Sequence, residues 1–445
     1  MRATAALALA VLALSPPARA ADPPAPAPTL DDRLGKLEED LAETQAQVKQ
    51  LLPLTGRLSG YLDFGFFRVS GDGSGVRPDL GNKIFPEYAY AGAWSFMGDP
   101  LATMINARGE PADTGASRAV TFNPVHAGDH ASFIVNALTV SLFAGVGDDL
   151  IVQGIFDLVP RSRDVSDPSG HFLGDFLDVK LAYVEWRPKL DAFALSIFAG
   201  KIDSVLGIEY RVEEAPDRIG VTPSLICRYT CGRPLGVKAR ARFADDRFVL
   251  NLAVTNGTSF LEMFPFYNET DVNDGKTVSA RVSTRLPVGN GLELGASGAV
   301  GPQDNQSQDS IWQWHVGADL HLDFHDVDLS AEYVKGKAEG ATDTGMNANP
   351  CDLAPCLDYQ GAYGLVGYRA TNWLIPYARV DWRDALHRSG ASFVYVSQLM
   401  RATAGVRLEL GSAVIVKAEY TLNRELGKIP QFDDDIFTSS LVVKY

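Results

Sequence analysis

The chain has 445 residues, a formal net charge of −15 at pH 7, 46% hydrophobic and 21% charged residues, and four cysteines. An acidic chain without a polybasic patch argues against a nucleic-acid partner. Beyond the first twenty residues no stretch of about 18 consecutive apolar residues occurs, which excludes a bundle of transmembrane helices.

Residues 1–20 read as a secretory signal peptide. Arg2 opens it, an apolar run spans Ala5 to Leu14, and Ala18-Arg19-Ala20 supplies a small-x-small cleavage site. No Cys follows the site, so the signal is not that of a lipoprotein. Residues 21–29 form a stiff Pro/Ala linker. Leu30, Leu34, Leu37, Leu41, Thr44, Val48 and Leu51 then alternate spacings of four and three among charged and polar residues. That heptad pattern predicts a helix over 30–52. At about three heptads, with a polar Thr44, it is marginal alone. Its apolar seam packs either on its own barrel or, as expected here, in a parallel periplasmic coiled coil between three protomers.

From Arg57 onward the period is two. About sixteen strands are predicted. The first is 57–69, and a long excursion, 70–130, follows it. Hairpin pairs then fall at 131–144 and 149–159, 174–187 and 192–203, 234–243 and 247–255, 276–286 and 291–300. They continue at 310–324 and 327–337, 358–369 and 373–383, and 397–410 and 413–424; 434–445 closes the set. Every second connection is short and rich in Gly, Asn, Asp or Pro. The others are longer: 70–130, 160–173, 204–233, 256–275, 301–309, 338–357, 384–396 and 425–433. Short turns on one side and long loops on the other, with an even strand number, predict an all-β fold. It is a transmembrane antiparallel β-barrel over 57–445, preceded by the helix. In the final stretch Phe437, Ser439, Leu441, Val443 and Tyr445 share one face of an extended chain that ends on an aromatic. Pairing of that strand with the first would leave no edge open to aggregation.

The alternation also assigns faces. In 310–324, Trp312, Trp314, Val316, Ala318, Leu320, Leu322 and Phe324 face lipid, while Gln313, His315, Asp319, His321 and Asp323 face the lumen. Trp312 and Tyr445 fall where aromatic girdles sit. Lys238, Arg240, Arg242, Arg281 and Arg285 face inward on two strands separated by one neighbour, 247–255, which carries no inward carboxylate. They are expected to form one basic wall. Asp319, Asp323, Asp328 and Glu332 are expected to form an acidic sector. Arg379, Arg383, Arg401, Arg407 and Lys417 also face in, beside Asp381, Glu409 and Glu419. Opposed sectors would set a transverse field on a permeating solute; alternatively the charges pair and brace the barrel.

Motifs for chemistry are poor. There is no G-x-S-x-G, H-E-x-x-H or P-loop, so no catalytic residue and no cofactor is expected. His321 and His325 stand about 13 Å apart on a strand and cannot share a metal. His126 and His130, and the acidic runs at 271–275 and 433–435, read as solvated loops, so no metal site is expected. Cys227/Cys231 and Cys351/Cys356 are two close pairs in predicted outside loops. In the oxidising exported compartment they are expected to form two local disulfides that shape loop tips.

The segments AYVEWRP (182–188), FAGKIDSVLGIEY (198–210), PSLICRY (223–229), LGVKARARFADDRFVLNLAVTNG (235–257) and DGKTVSARVSTRLP (274–287) resemble the OmpL-like barrel porins. More loosely, they are similar to phosphate-selective porins. The likeness covers the central third of the chain; the 70–130 loop departs from it. It implies a passive bacterial outer-membrane channel for small hydrophilic solutes or ions and supplies no catalytic residues. Outer-membrane lipid, permeant solutes and two further copies of the chain are then the partners expected. The basic wall suggests an anion preference. The rival readings are a barrel enzyme of the outer membrane and a structural or adhesive barrel plugged by 70–130.

Overall fold

The computed structural model describes residues 58–69, 104–105, 131–158, 177–256, 273–302, 311–341, 351, 356–389, 393–426 and 435–445. The signal peptide, the linker, the heptad helix, His126 and His130 lie outside the described residues, as does the 70–130 connection apart from residues 104–105.

Strands β1 (Leu58–Val69), β2 (Met104–Ile105), β3 (Ala131–Val146), β4 (Leu150–Leu158), β5 (Leu177–Trp186) and β6 (Ala194–Lys201) precede the centre of the chain. β7 (Leu235–Phe243), β8 (Phe248–Thr255), β9 (Thr277–Leu286), β10 (Gly291–Pro302), β11 (Trp312–Phe324) and β12 (Val327–Ala338) follow. The last five are β13 (Cys356–Tyr368), β14 (Leu374–Ser389), β15 (Phe393–Leu410), β16 (Val414–Glu425) and β17 (Ile436–Lys444). All except β2 form one antiparallel, sequence-ordered sheet of sixteen strands that closes where β1 pairs with both β3 and β17. Closure reaches the final residue. Gly60 and Tyr445 exchange backbone hydrogen bonds of 3.1 Å, and the Tyr445 hydroxyl donates to the Thr139 carbonyl at 2.9 Å. A side chain at Gly60 would overlap that carbonyl and the Tyr445 ring, which is why glycine stands there.

The tight turns β3–β4, β7–β8, β9–β10, β11–β12 and β15–β16 lie at one end. Gly411 turns β15 into β16 at φ 80° and Gly289 turns β9 into β10 at φ 63°, a region that favours glycine. At the opposite end two features differ from the expected boundaries. The expected loop 384–396 is mostly strand: β14 and β15 keep their ladder as far as the pair Ser389–Phe393. Continued pairing satisfies backbone groups that a loop would leave to water. β2 then pairs with Val394 and Tyr395 of β15, beyond the point where β16 has ended.

The two faces separate sharply. Val237, Val282 and Val380 point outward and are 50%, 55% and 54% exposed, with Leu250, Leu252, Val254 and Val316 in the same belt. Inward, Arg281, Asp381 and Arg401 are buried. In water such an exterior would far exceed the apolar patches that soluble monomers tolerate. In hydrocarbon it fits, because the closed ladder leaves no backbone edge unpaired. Among the described residues no helix is long and apolar enough to cross a membrane.

Candidate functional site

The connection between β6 and β7 is not the outside loop expected over 204–233. It folds into the lumen, and its residues from Ile202 to Pro234 are largely buried. Its composition explains why. Ile202, Val205, Ile208, Val221, Leu225, Ile226 and Tyr229 are too apolar to stay in water, and all are buried here. Two rungs close the root of the segment: Ile202 N–H donates to Pro234 O, and Ser204 N–H to Gly232 O, both at 2.9 Å. Inside lie a 3-10 turn over Glu209–Val212 and a single helical turn, α1 (Cys227–Thr230).

The barrel wall holds this plug mainly by its backbone. Glu332 on β12 accepts the Ile208 and Glu209 N–H groups at 3.0 and 2.6 Å and the Tyr363 hydroxyl at 3.0 Å. Glu419 on β16 accepts the Val221 and Thr222 N–H groups at 2.8 and 2.9 Å, and the Tyr377 hydroxyl at 2.6 Å. Asp381 on β14 accepts Leu225 N–H at 3.1 Å. Cations take the carbonyls. Lys417 donates to Ala215, Arg218 and Gly220 at 2.5, 2.5 and 3.0 Å, and Arg407 to Arg218 at 2.9 Å. Arg379 donates to the carbonyls of Thr222 and Pro223 at 2.6 and 2.9 Å while pairing with Asp381 at 2.8 Å. Charge-assisted bonds of this kind are the stronger class.

Side chains complete the fastening. Glu214 accepts the Tyr61 hydroxyl at 2.5 Å and pairs with Lys180 at 2.7 Å and Arg233 at 2.6 Å. Burial alone would raise the Glu214 carboxyl, but Lys180 and Arg233 outweigh it and hold it well below the usual carboxylate range. Glu209 shifts the other way: burial pushes its carboxyl up, and Arg379 and Ser224 offset that only in part. Arg211 forks onto Glu293 of β10 with two bonds of 3.0 Å. Tyr229 stacks on Tyr359 of β13, ring centroids 3.9 Å apart.

The predicted site residues are redistributed by this arrangement. Arg281 does not belong to an open basic wall. It is buried between Asp319 at 2.5 Å and Glu293 at 2.7 Å, carboxylates that come from β10 and β11 and not from the intervening β8. Arg242 pairs with Asp246 in its own turn at 3.1 Å, and Arg285 donates to the Asn290 carbonyl at 3.2 Å. Lys238 and Arg240 differ. They lie 4.8 and 5.4 Å from the centre of the Phe198 ring, and neither has a carboxylate ion pair among the described residues. Lys238 donates to the Asp203 carbonyl and Arg240 to Asn251. The acidic sector divides likewise. Asp319 neutralises Arg281, Glu332 holds the plug, Asp323 accepts from Asn290 at 3.0 Å, and Asp328 lies 3.8 Å from His321.

Cys227 and Cys231 are disulfide-bonded, Cα atoms 4.9 Å apart, and buried in the plug, not at an outer loop tip. Cys351 and Cys356 are bonded too; Cys356 opens β13. Among the described residues the one cluster with metal-ligand types is Glu209, Cys227 and Cys231, and its sulfurs already form the disulfide. They offer no thiolate to an ion.

Glu209, Glu214, Tyr61, Lys180 and Arg233 escaped the sequence reading. The signal was present in the apolar density of residues 202–229, which is wrong for a solvated loop.

No protein-family model and no curated protein matches the sequence. Among solved structures, the chain is similar to the Salmonella typhi OmpF complex with daunomycin. The identity is 12%, the match covers 87% of this chain and 97% of that one, and the TM-score is 0.51. It is also similar to the outer membrane channel DcaP of Acinetobacter baumannii, at 10% identity over 87% and 96% of the two chains, with a TM-score of 0.50. A loop L8 deletion mutant of the Vibrio cholerae outer membrane protein OmpT scores lower, at 0.47 with 11% identity over 87% and 98%. The first two likenesses bear on the fold.

Proposed function

We propose that this protein is a porin of the bacterial outer membrane, a passive diffusion channel for small hydrophilic solutes. The observation that carries the reading is one arrangement: a closed barrel, apolar outside and ionised inside, narrowed by a segment of its own chain. A polar, charged lumen inside an apolar exterior suits a water-filled passage, and a fastened internal segment restricts which solutes pass. Two proteins of related fold, an OmpF and the outer membrane channel DcaP, support the same direction.

Selectivity rests on Lys238 and Arg240, since Arg281 is neutralised; a modest anion preference follows from that pair. The chain works as a homotrimer, with residues 30–52 as its periplasmic coiled coil. The enzyme reading finds no nucleophile-and-base set among the described residues. The Ser330, His321 and Asp328 group comes nearest, but both partners lie against the same ring nitrogen, at 3.0 and 3.8 Å. A triad needs the base between the other two.

Conductance of the purified protein in a planar bilayer tests the proposal. Stepwise currents proportional to salt concentration are expected. A barrel that inserts and carries no current would support the plugged structural reading instead.

A further inference from the structure

Lys417 differs from the other ionised groups on β12 to β16 that hold plug backbone. Each of those keeps a partner on the wall. Glu332 has Tyr363, Asp381 and Arg379 have each other, Arg407 has Glu409, and Glu419 has Tyr377. The Lys417 side chain has plug atoms alone. It is 1% exposed, and among the described residues no carboxylate stands within ion-pair distance of it. Directly opposite, across the β15–β16 ladder, stands a second cation, Arg407. Like charges facing each other on one side of a sheet are unfavourable, and a buried ammonium without a carboxylate needs other acceptors. Three plug carbonyls supply them: Ala215 and Arg218 accept at 2.5 Å and Gly220 at 3.0 Å. An ammonium carries three N–H donors, so donors and acceptors match one to one. Ala215 and Gly220 are buried, and among the described residues their carbonyls have no other donor. The turn that aims them closes on itself, because the Glu214 carbonyl accepts the N–H groups of Asp217 and Arg218, both at 3.0 Å. Asp217, within that turn, is exposed.

We propose that Lys417 is the positioning residue of the 215–220 turn, and that the three carbonyls form a receptor for one primary ammonium group, which the chain fills with its own lysine. Positive charge alone does not satisfy such a receptor. A guanidinium spreads its donors over a planar fork and cannot bring three of them to one point, so arginine is no substitute. A thioether of similar length fills the space and leaves the carbonyls without a donor. Alanine at this position opens a slot from Cγ to Nζ, which has the outline of n-propylammonium. The turn carries Asp217, so Lys417 sets where a carboxylate stands on the plug surface. That it thereby sets ion flow rests on the reading of the lumen as a passage.

The test uses the full mature chain. Lys417→Ala should lower the temperature at which gel migration changes by roughly 5 °C, for two buried carbonyls left without a donor. n-Propylammonium chloride should restore it, and tetramethylammonium chloride, which has no N–H, should not. Lys417→Met and Lys417→Arg should stay lowered in both salts. Position is read separately through Asp217→Cys. All the chain's own cysteines are paired, so the added thiol reacts alone. Its rate of reaction with a charged methanethiosulfonate should change severalfold on addition of Lys417→Ala and return with n-propylammonium. If Lys417→Ala fails to insert, Lys417→Met carries the labelling test, and an unchanged rate there overturns the proposal. So does a Lys417→Ala protein as heat-stable as the parent, recovery that is equal or absent in the two salts, or a Lys417→Arg protein that behaves as the parent. Bilayer conductance, measured in parallel, separates the two readings. Recovery by n-propylammonium in a barrel without current keeps the receptor and sinks the passage. Current without such recovery sinks the receptor alone.

Discussion

Gly207 shows how closely single residues set the height of the plug. It sits at φ 67°, and a Cβ there would overlap a carboxylate oxygen of Glu332. Gly207→Ala therefore meets both a backbone penalty and a clash with the side chain that holds residues 208 and 209. The expected result is an altered unit conductance and a barrel destabilised by about 1–2 kcal/mol, read by the temperature at which gel migration changes. Glu214 is a second such point. Its folded-state carboxyl lies below its unfolded value, so its contribution is present above the ordinary carboxylate range and is lost only as pH falls through the depressed folded value. Channel properties should hold from neutral pH to well below pH 4.5 if this fastening decides them. Glu214→Gln should remove that acid tolerance and cost about 2 kcal/mol at neutral pH, because Lys180 and Arg233 lose their shorter ion pair and are left with Asp157 at 3.2 Å and Glu213 at 3.4 Å. A variant as acid-resistant as the parent would show that the plug is held elsewhere.

At the scale of elements, strands and plug were not equally legible. Period-two alternation needs only neighbours along the chain, so Val237-Lys238-Ala239-Arg240 announced both faces of β7 without a structure. Partnership across strands is a matter of register. Arg281 meets Asp319 across β10, a pairing fixed by the ladders β9–β10 and β10–β11 and not by either strand alone. That is why the basic wall looked continuous in the sequence and is not. The plug was hidden for a different reason. Its anchors are backbone groups, at residues 208, 209, 221, 222 and 225, and every residue except proline has an N–H to offer. Only its surplus of buried apolar side chains marked it. Deleting 205–231 and joining the ends by a short Gly/Ser bridge should leave a heat-modifiable barrel, because the sixteen-strand ladder does not depend on the plug. Conductance should rise severalfold, and loss of insertion would show that the segment is needed for closure.

For the whole molecule, stability and assembly are separate questions. The ladder closes within one chain through β1 and β17, so a single copy already leaves no edge for another to complete. Association by strand-edge pairing is therefore excluded, which leaves the outer face of the wall or segments outside the strands. The heptads over 30–52 are the proposed source, since a helix of that length is marginal until it finds partners. Removing 30–52 should lower the native mass in mild detergent from three chains to one while the heat-modifiable band persists. A trimer that survives the deletion would place the contact on the barrel wall.

The most direct test of the channel reading is the ion selectivity of single channels under a tenfold salt gradient, in the parent and in Arg240→Gln with Lys238→Gln. The parent should pass stepwise currents with a reversal potential on the anion side, and the double variant should shift it toward cations with its steps intact. Inserted barrels that carry no current in the parent, across both polarities and high salt, would contradict the proposed function.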